Sequence, residues 1–166
     1  VLAVEDTQFR EHFGISLKGL LRATVANLSG GMPQGASTIT QQVARTFFLS
    51  TRRTPERKIK EALLALQIEN RLTKDQILEL YMNQIYLGQR AYGFAAAAQV
   101  YFGKPLAALS TAETAMLAGL PQNPIWANPI SDFDRARKRQ LVVLGRMKKV
   151  GVIDEREHDR AVAEKL

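Results

Sequence analysis

Apolar positions recur every three to four residues along most of the chain and few stretches alternate with period two, so the pattern predicts a mainly α-helical protein. Ile15 to Leu28 carries Leu17, Leu20, Leu21 and Val25 with Lys18 and Arg22 between them, which predicts one amphipathic helix. Glycine and proline then break the pattern from Ser29 to Gly35. Thr38 and Gln41 have capping-box spacing, so a second helix is expected from there to about Leu49, with an N-terminus that attracts anions. Thr54-Pro55-Glu56 starts a third: a hydroxyl cap, a proline whose missing amide costs nothing, and an acid against the dipole. Thr73 to Gln76 is another capping box, opening a helix with Ile77, Leu78, Tyr81, Met82 and Ile85 on one arc and Gly88 at its end. The small residues from Gly93 to Gln99 permit close helix packing. Ser110-Thr111-Ala112-Glu113 caps another helix that Gly119-Leu120-Pro121 stops. Pro121 to Pro129, with the lone Trp126, reads as irregular, and Asp134 to Val150 and a short helix from about Asp154 close the chain.

Some polar residues violate this pattern. In the helix after Thr54, Lys60, Gln67, Asn70 and Arg71 share a polar face, yet Glu61 falls among Leu64, Ala65, Ile68 and Leu72, and Lys58 and Glu69 also lie on that apolar side. A buried carboxylate without a partner is costly, so these charges have either a function or an internal ion pair, Lys58 with Glu61 or with Glu69. The pattern alone leaves both open. Glu79, Asn83 and Tyr86 form a polar row that reads as a solvated face.

Two polar blocks do not look like packing. Val4 to Gly14 puts Glu5, Asp6, Phe9 and His12 close together, and Gln34 to Gln42 is a hydroxyl-and-amide run suited to bonding a sugar or a phosphate. A length of 166 residues suffices for one domain with a single core. Twenty-three Lys and Arg against sixteen Asp and Glu give +7, which favours an anionic partner: nucleic acid, anionic lipid or a phosphorylated substrate. The absence of cysteine rules out disulfides and thiolate metal sites without deciding the compartment. Apolar runs fall short of the roughly 20 residues that span a bilayer, no signal peptide is visible, and the abrupt start at Val1 suggests a preceding N-terminal portion. A Gly-rich nucleotide loop, His-Glu-x-x-His and Ser-x-x-Lys are absent, and two histidines make a zinc site a poor expectation. What remains is carboxylates, Glu5 and Glu61 above all, with Arg45, Arg53, Arg57 and Lys58. That set suits glycosyl transfer from a phosphate-linked sugar: a carboxylate takes the proton of the attacking hydroxyl while cations stabilise the departing pyrophosphate.

Five blocks in order carry a family resemblance: Glu5-Asp6-x-x-Phe9-x-x-His12-x-Gly14, Gly35-Ala36-Ser37-Thr38-Ile39-Thr40-Gln41-Gln42, Arg57-Lys58-x-x-Glu61, Ile77 to Gly88, and Ala112-Glu113-x-Ala115-x-Leu117-Ala118-Gly119-Leu120-Pro121. Over nearly its whole length the chain resembles the peptidoglycan glycosyltransferase domain, glycosyltransferase family 51, of class A penicillin-binding proteins and monofunctional transglycosylases. Ala36 departs from the family's usual second glycine.

The resemblance implies a lysozyme-like helical fold in a single domain, 1–166, that polymerises lipid II into β-1,4 glycan with inversion and release of undecaprenyl pyrophosphate. It implies Glu5 as general base and Glu61 as the second essential glutamate. It implies Ser37, Thr38, Gln41, Gln42, Arg45, Arg53, Arg57 and Lys58 as phosphate and sugar contacts, and Asp6, Phe9 and His12 as cleft-shaping residues, with core packing an equal reading for Phe9. The implied partners are lipid II, the growing glycan strand, the membrane surface and other cell-wall synthesis proteins, without nucleic acid. No cofactor is required by this reading, and a divalent cation is left open. The implied place of work is the outer, periplasmic side of the bacterial cytoplasmic membrane, with a transmembrane helix before Val1 and, in a class A protein, a transpeptidase domain after Leu166. A lysozyme-like hydrolase or lytic transglycosylase is the rival enzyme, with little need for Arg45, Arg53 and Lys58 as a pyrophosphate cradle. A basic binding module is the rival without catalysis, and it predicts that Glu5→Gln changes nothing. The stretch from Gly30 to Gly35, placed between two of the blocks, is expected to act as a lid.

Overall fold

The computed structural model describes residues 1–30, 36–48 and 54–166, which form nine α-helices and no strand. The helical expectation holds. By internal packing the chain divides into two units, Gln8–Tyr81 and the pair of segments Val1–Thr7 with Met82–Leu166.

In the Gln8–Tyr81 unit, Ser16 caps α2 (Leu17–Leu28) by accepting from the Gly19 amide. The outward arc of α2 is a correction to what its periodicity suggests: Leu17, Leu20, Leu21 and Val25 are exposed, and the buried positions are Gly19 and Ala23. The inward positions therefore carry small side chains, and the leucines stand outside. Helix α3 (Ile39–Phe48) begins at the predicted capping box: the Thr38 amide donates to Gln41 Oε1 (2.8 Å) and the Gln41 amide to Thr38 Oγ1 (3.1 Å). Its first six residues are buried. Helix α4 (Pro55–Arg71), capped by Thr54, packs along α3 and buries Glu61, Ala65 and Ile68. The turn before α2 meets α4 at Gly14, where φ is +97° and an added Cβ would lie 2.9 Å from the Ala65 backbone, so only glycine fits. Thr73 caps α5 (Lys74–Gln84) through the predicted box with Gln76.

In the other unit, α7 (Thr111–Ala118) is buried on most of its sides and packs against α8 (Phe133–Lys149), α9 (Glu155–Ala163) and α6 (Phe94–Phe102). The short α1 (Leu2–Glu5) lies on α8. Ala3, Ala112, Ala115, Ala118, Val143, Leu144 and Ile153 belong to one apolar cluster, whose alanines let the helices approach closely. Ser110 and Glu113 form the expected capping box at α7, and Asp132 and Asp154 cap α8 and α9.

The expected end of α5 at Gly88 is corrected: the helix stops at Gln84, and Tyr86 pairs with Tyr92 across a tight turn. Gly88, Gln89, Arg90 and Gly93 all have positive φ there, which a continuing helix does not allow. Tyr101 closes the turn by donating to the Leu87 carbonyl (2.7 Å), and burial, aided by Tyr86, pushes its phenol up to about 12.

Candidate active site

Three of the predicted site residues in the Gln8–Tyr81 unit, Ser37, Lys58 and Glu61, meet through hydrogen bonds. Lys58 Nζ donates to Ser37 Oγ (2.6 Å) and to Glu61 Oε1 (2.8 Å). The two partners of the ion pair are unlike in exposure: the Glu61 side chain is 0 % exposed, whereas that of Lys58, the donor, is 49 % exposed. Lys58 therefore stands with its stem against α4 and its ammonium at the boundary between interior and solvent. Among the described residues Glu61 Oε2 has no hydrogen-bond partner. A buried carboxylate with one oxygen satisfied is an expensive arrangement, of the kind that functional sites retain. Of the two ion pairs that periodicity left open, the structure forms Lys58 with Glu61, and Glu69 pairs with Lys74 instead (2.6 Å).

Thr38 joins this group to the first motif. While its amide and hydroxyl complete the α3 cap, Oγ1 also donates to the Gly14 carbonyl (2.6 Å). His12 Nδ1 accepts from the Gly14 amide (3.0 Å), so the ring of a neutral His12 carries its proton on Nε2. Phe9 is buried, edge-on to His12 at 6.0 Å between centroids, with the Lys74 ammonium 4.7 Å from its ring centre. Its surroundings are those of a packing residue. Gln42 is buried in α3 and accepts from Tyr81 Oη at 3.4 Å, and Gln41 is held in the cap. Arg57 is half-buried on the first turn of α4, and Arg45 half-buried on the last turn of α3. Arg53, and Gly31 to Gly35 of the expected lid, lie outside the described residues.

Glu5 and Asp6 belong to the other unit. Glu5 ends α1 with its carboxylate 3.7 Å from the Arg139 guanidinium, and the buried Asp6 closes the helix as its C-cap residue. Arg139 Nε donates to the Gly119 carbonyl at 3.4 Å. Burial lowers the Arg139 pKa, and Glu5 opposes that fall. An added Cβ at Gly119 would lie 2.8 Å from Arg139 Cγ, so the glycine of the fifth motif makes room for this side chain.

Sequence reasoning missed Arg139, Thr40 and Lys74. The signal for Arg139 was present: it falls one turn after Ala136 and one before Val143, both buried, so a cation occupies the inward face of α8. Lys74 gave no comparable signal, because a lysine at the start of a helix reads as solvated. Among the described residues no three His, Cys, Asp or Glu side chains gather as a metal site.

A family model described as Transglycosylase matches residues 1–148. The whole chain is 57% identical to a provisionally named transglycosylase of Cupriavidus necator, 72% of whose length it covers. It is 53% identical to penicillin-binding protein 1A of Neisseria gonorrhoeae, again over the whole chain, but spans only 21% of that protein. The crystal structure of penicillin-binding protein 1A from Haemophilus influenzae aligns over 77% of this chain and 16% of that one, with a TM-score of 0.54 and 35% identity.

Proposed function

The chain belongs to the transglycosylase family and is a peptidoglycan glycosyltransferase domain, and on that premise we propose that it polymerises lipid II into β-1,4 glycan with release of undecaprenyl pyrophosphate. The supporting observation is Lys58, whose ammonium is shared between a hydroxyl at the start of α3 and a fully buried glutamate. A cation held this way, beside a helix N-terminus, suits a leaving group that gains negative charge.

In this reading the Glu5 carboxylate takes the proton from the 4-hydroxyl of the acceptor sugar as that oxygen attacks the donor's anomeric carbon. The bond from that carbon to the phosphate oxygen breaks, and its electron pair leaves with the pyrophosphate. Direct displacement converts an α-linked donor into a β-linked product without a covalent sugar intermediate. Lys58, Ser37 and the α3 N-terminus receive the charge developing on the pyrophosphate. Glu61 fixes Lys58 in place as its counter-ion. Arg45 and Arg57 extend the cationic surface along lipid II, and the growing strand supplies the acceptor or donor end.

We place this chemistry on the outer face of the bacterial cytoplasmic membrane. No helix among the described residues is long and apolar enough to cross a membrane, and the exposed Leu17, Leu21, Val25 and Leu28 of α2 with Phe13 suit contact with a lipid surface. The test is incubation with labelled lipid II of the wild type, Glu5→Gln and Glu61→Gln. Glycan strands from the wild type and none from either variant support the reading. Cleavage of finished glycan without growth from lipid II replaces it with the hydrolase.

A further inference from the structure

The first helical residue of α5 is a lysine that turns inward. A cation at a helix N-terminus meets the positive end of the dipole, and ordinarily such a lysine extends into solvent. The Lys74 side chain is instead only 19 % exposed. Its ammonium donates to Glu69 Oε1 (2.6 Å) and to the His12 carbonyl (2.5 Å), and it lies over the Phe9 ring. Glu69, on the last turn of α4, is itself buried and accepts from the Thr40 hydroxyl of α3 (2.7 Å). One ion pair thus ties three helices to the turn that carries the first motif.

We propose that Lys74, with Glu69 as its counter-ion, is a positioning residue for the transfer reaction: it fixes the 9–14 turn, and through Gly14 and Thr38 it sets the Ser37 hydroxyl and Lys58 ammonium. Each link is a hydrogen bond or a peptide. Lys74 holds the His12 carbonyl, and His12 Nδ1 holds the Gly14 amide. The Gly14 carbonyl takes the Thr38 hydroxyl, and Ser37 precedes Thr38 in the chain and accepts from Lys58. Gly14 transmits position well because it is pressed against α4, within 3.1 Å of Glu69 Cγ for a hypothetical Cβ. Neither Lys74 nor Glu69 touches the substrate in this assignment. They act by removing slack from donors that must meet a phosphate to within a fraction of an ångström.

The assignment rests on the glycosyltransferase reading, so its test has one arm that does not depend on activity. Amide hydrogen exchange compares the wild type with Lys74→Met. Faster exchange confined to Gly14 and to Thr38 through Gln42, with the rest of α4 and α5 unchanged, is expected. Unchanged protection there overturns the proposal. The second arm is polymerisation of lipid II at a temperature where both proteins are folded. Lys74→Met is expected to lower kcat/KM between roughly tenfold and a hundredfold, the cost of misplaced reacting groups, and Lys74→Arg to recover part of it. A kcat/KM within about twofold of wild type, alongside intact fold, also overturns it. Should Lys74→Met not fold, Thr40→Val carries both arms, since it removes only the hydroxyl that steadies Glu69. A wild type that makes no glycan sinks the glycosyltransferase reading alone, and the exchange arm still decides what Lys74 holds.

Discussion

The guanidinium of Arg139 lies 3.7 Å from the Glu5 carboxylate, and its Nε is bonded back to the carbonyl of Gly119. An opposite charge at this range favours the ionised carboxylate, which is the form a general base needs. Arg146, which acts on Arg139 in the same sense as burial, is unchanged in a variant at 139. Removing the cation makes Glu5 easier to protonate, so the acid limb of the kcat/KM profile moves to higher pH. For Arg139→Met a displacement of the acid limb to higher pH is expected, and for Arg139→Lys little displacement. Gly119→Ala should mimic the neutral variant by pushing the side chain away. Superimposable profiles for wild type and Arg139→Met would refute the coupling.

Lys58 and Glu61 make a prediction about stability as well as rate. Lys58→Met leaves a fully buried carboxylate without its cation, at a cost of about 1–3 kcal/mol by urea denaturation. The double variant Lys58→Met with Glu61→Gln removes the stranded charge and should regain most of that loss. Activity should stay low in both, because the donor to the leaving group is gone. Additive losses of stability in the double variant would show that the two side chains are not coupled.

Gly93 is a backbone requirement. Its φ is +83° and an added Cβ would lie 2.4 Å from the Asn83 carbonyl oxygen. Gly93→Ala is therefore expected to destabilise by about 2 kcal/mol or more. Gly103, also at positive φ, has nothing within 4 Å of its Cβ direction, so Gly103→Ala bears only the conformational part. Equal melting temperatures for the two variants would contradict this difference.

Helix starts were legible because capping is local: Thr38 with Gln41, Thr54 with Pro55, Thr73 with Gln76 and Ser110 with Glu113 all cap the helices they announced. The end of α5 was not, because the apolar period runs on to Ile85 and the turn beyond it depends on close approaches of Gly88 to Tyr101, Pro124 and Asn128 and of Gly93 back onto Asn83. The outward arc of α2 was hidden for the converse reason. Periodicity shows that a helix has an apolar side, and here the buried positions are instead the small pair Gly19 and Ala23. Glu61 was legible as a buried charge in the wrong arc, whereas Lys74 needed three-dimensional neighbours, His12 from 62 residues away among them.

Glu113 extends the same physics to pH. Burial opposes its ionisation, yet the Lys104 side chain, the Ser110 amide and the Ser110 hydroxyl together hold its carboxyl below the usual range. Lys104 Nζ lies 2.6 Å from Oε1, and the Ser110 amide donates to Oε2 at 2.8 Å. A folded-state pKa below the unfolded value means that the carboxylate's stabilising effect is complete above the unfolded pKa and is lost as pH falls through the folded one. Glu113→Gln keeps an acceptor for the Ser110 amide but cannot titrate. Its stability should therefore be lower than wild type at neutral pH, and the gap should close as the medium is made acidic. Thermal melts of both proteins across that range provide the check: a gap that stays constant with pH would mean that the α7 cap stabilises through its hydrogen bonds and not through the charge of Glu113.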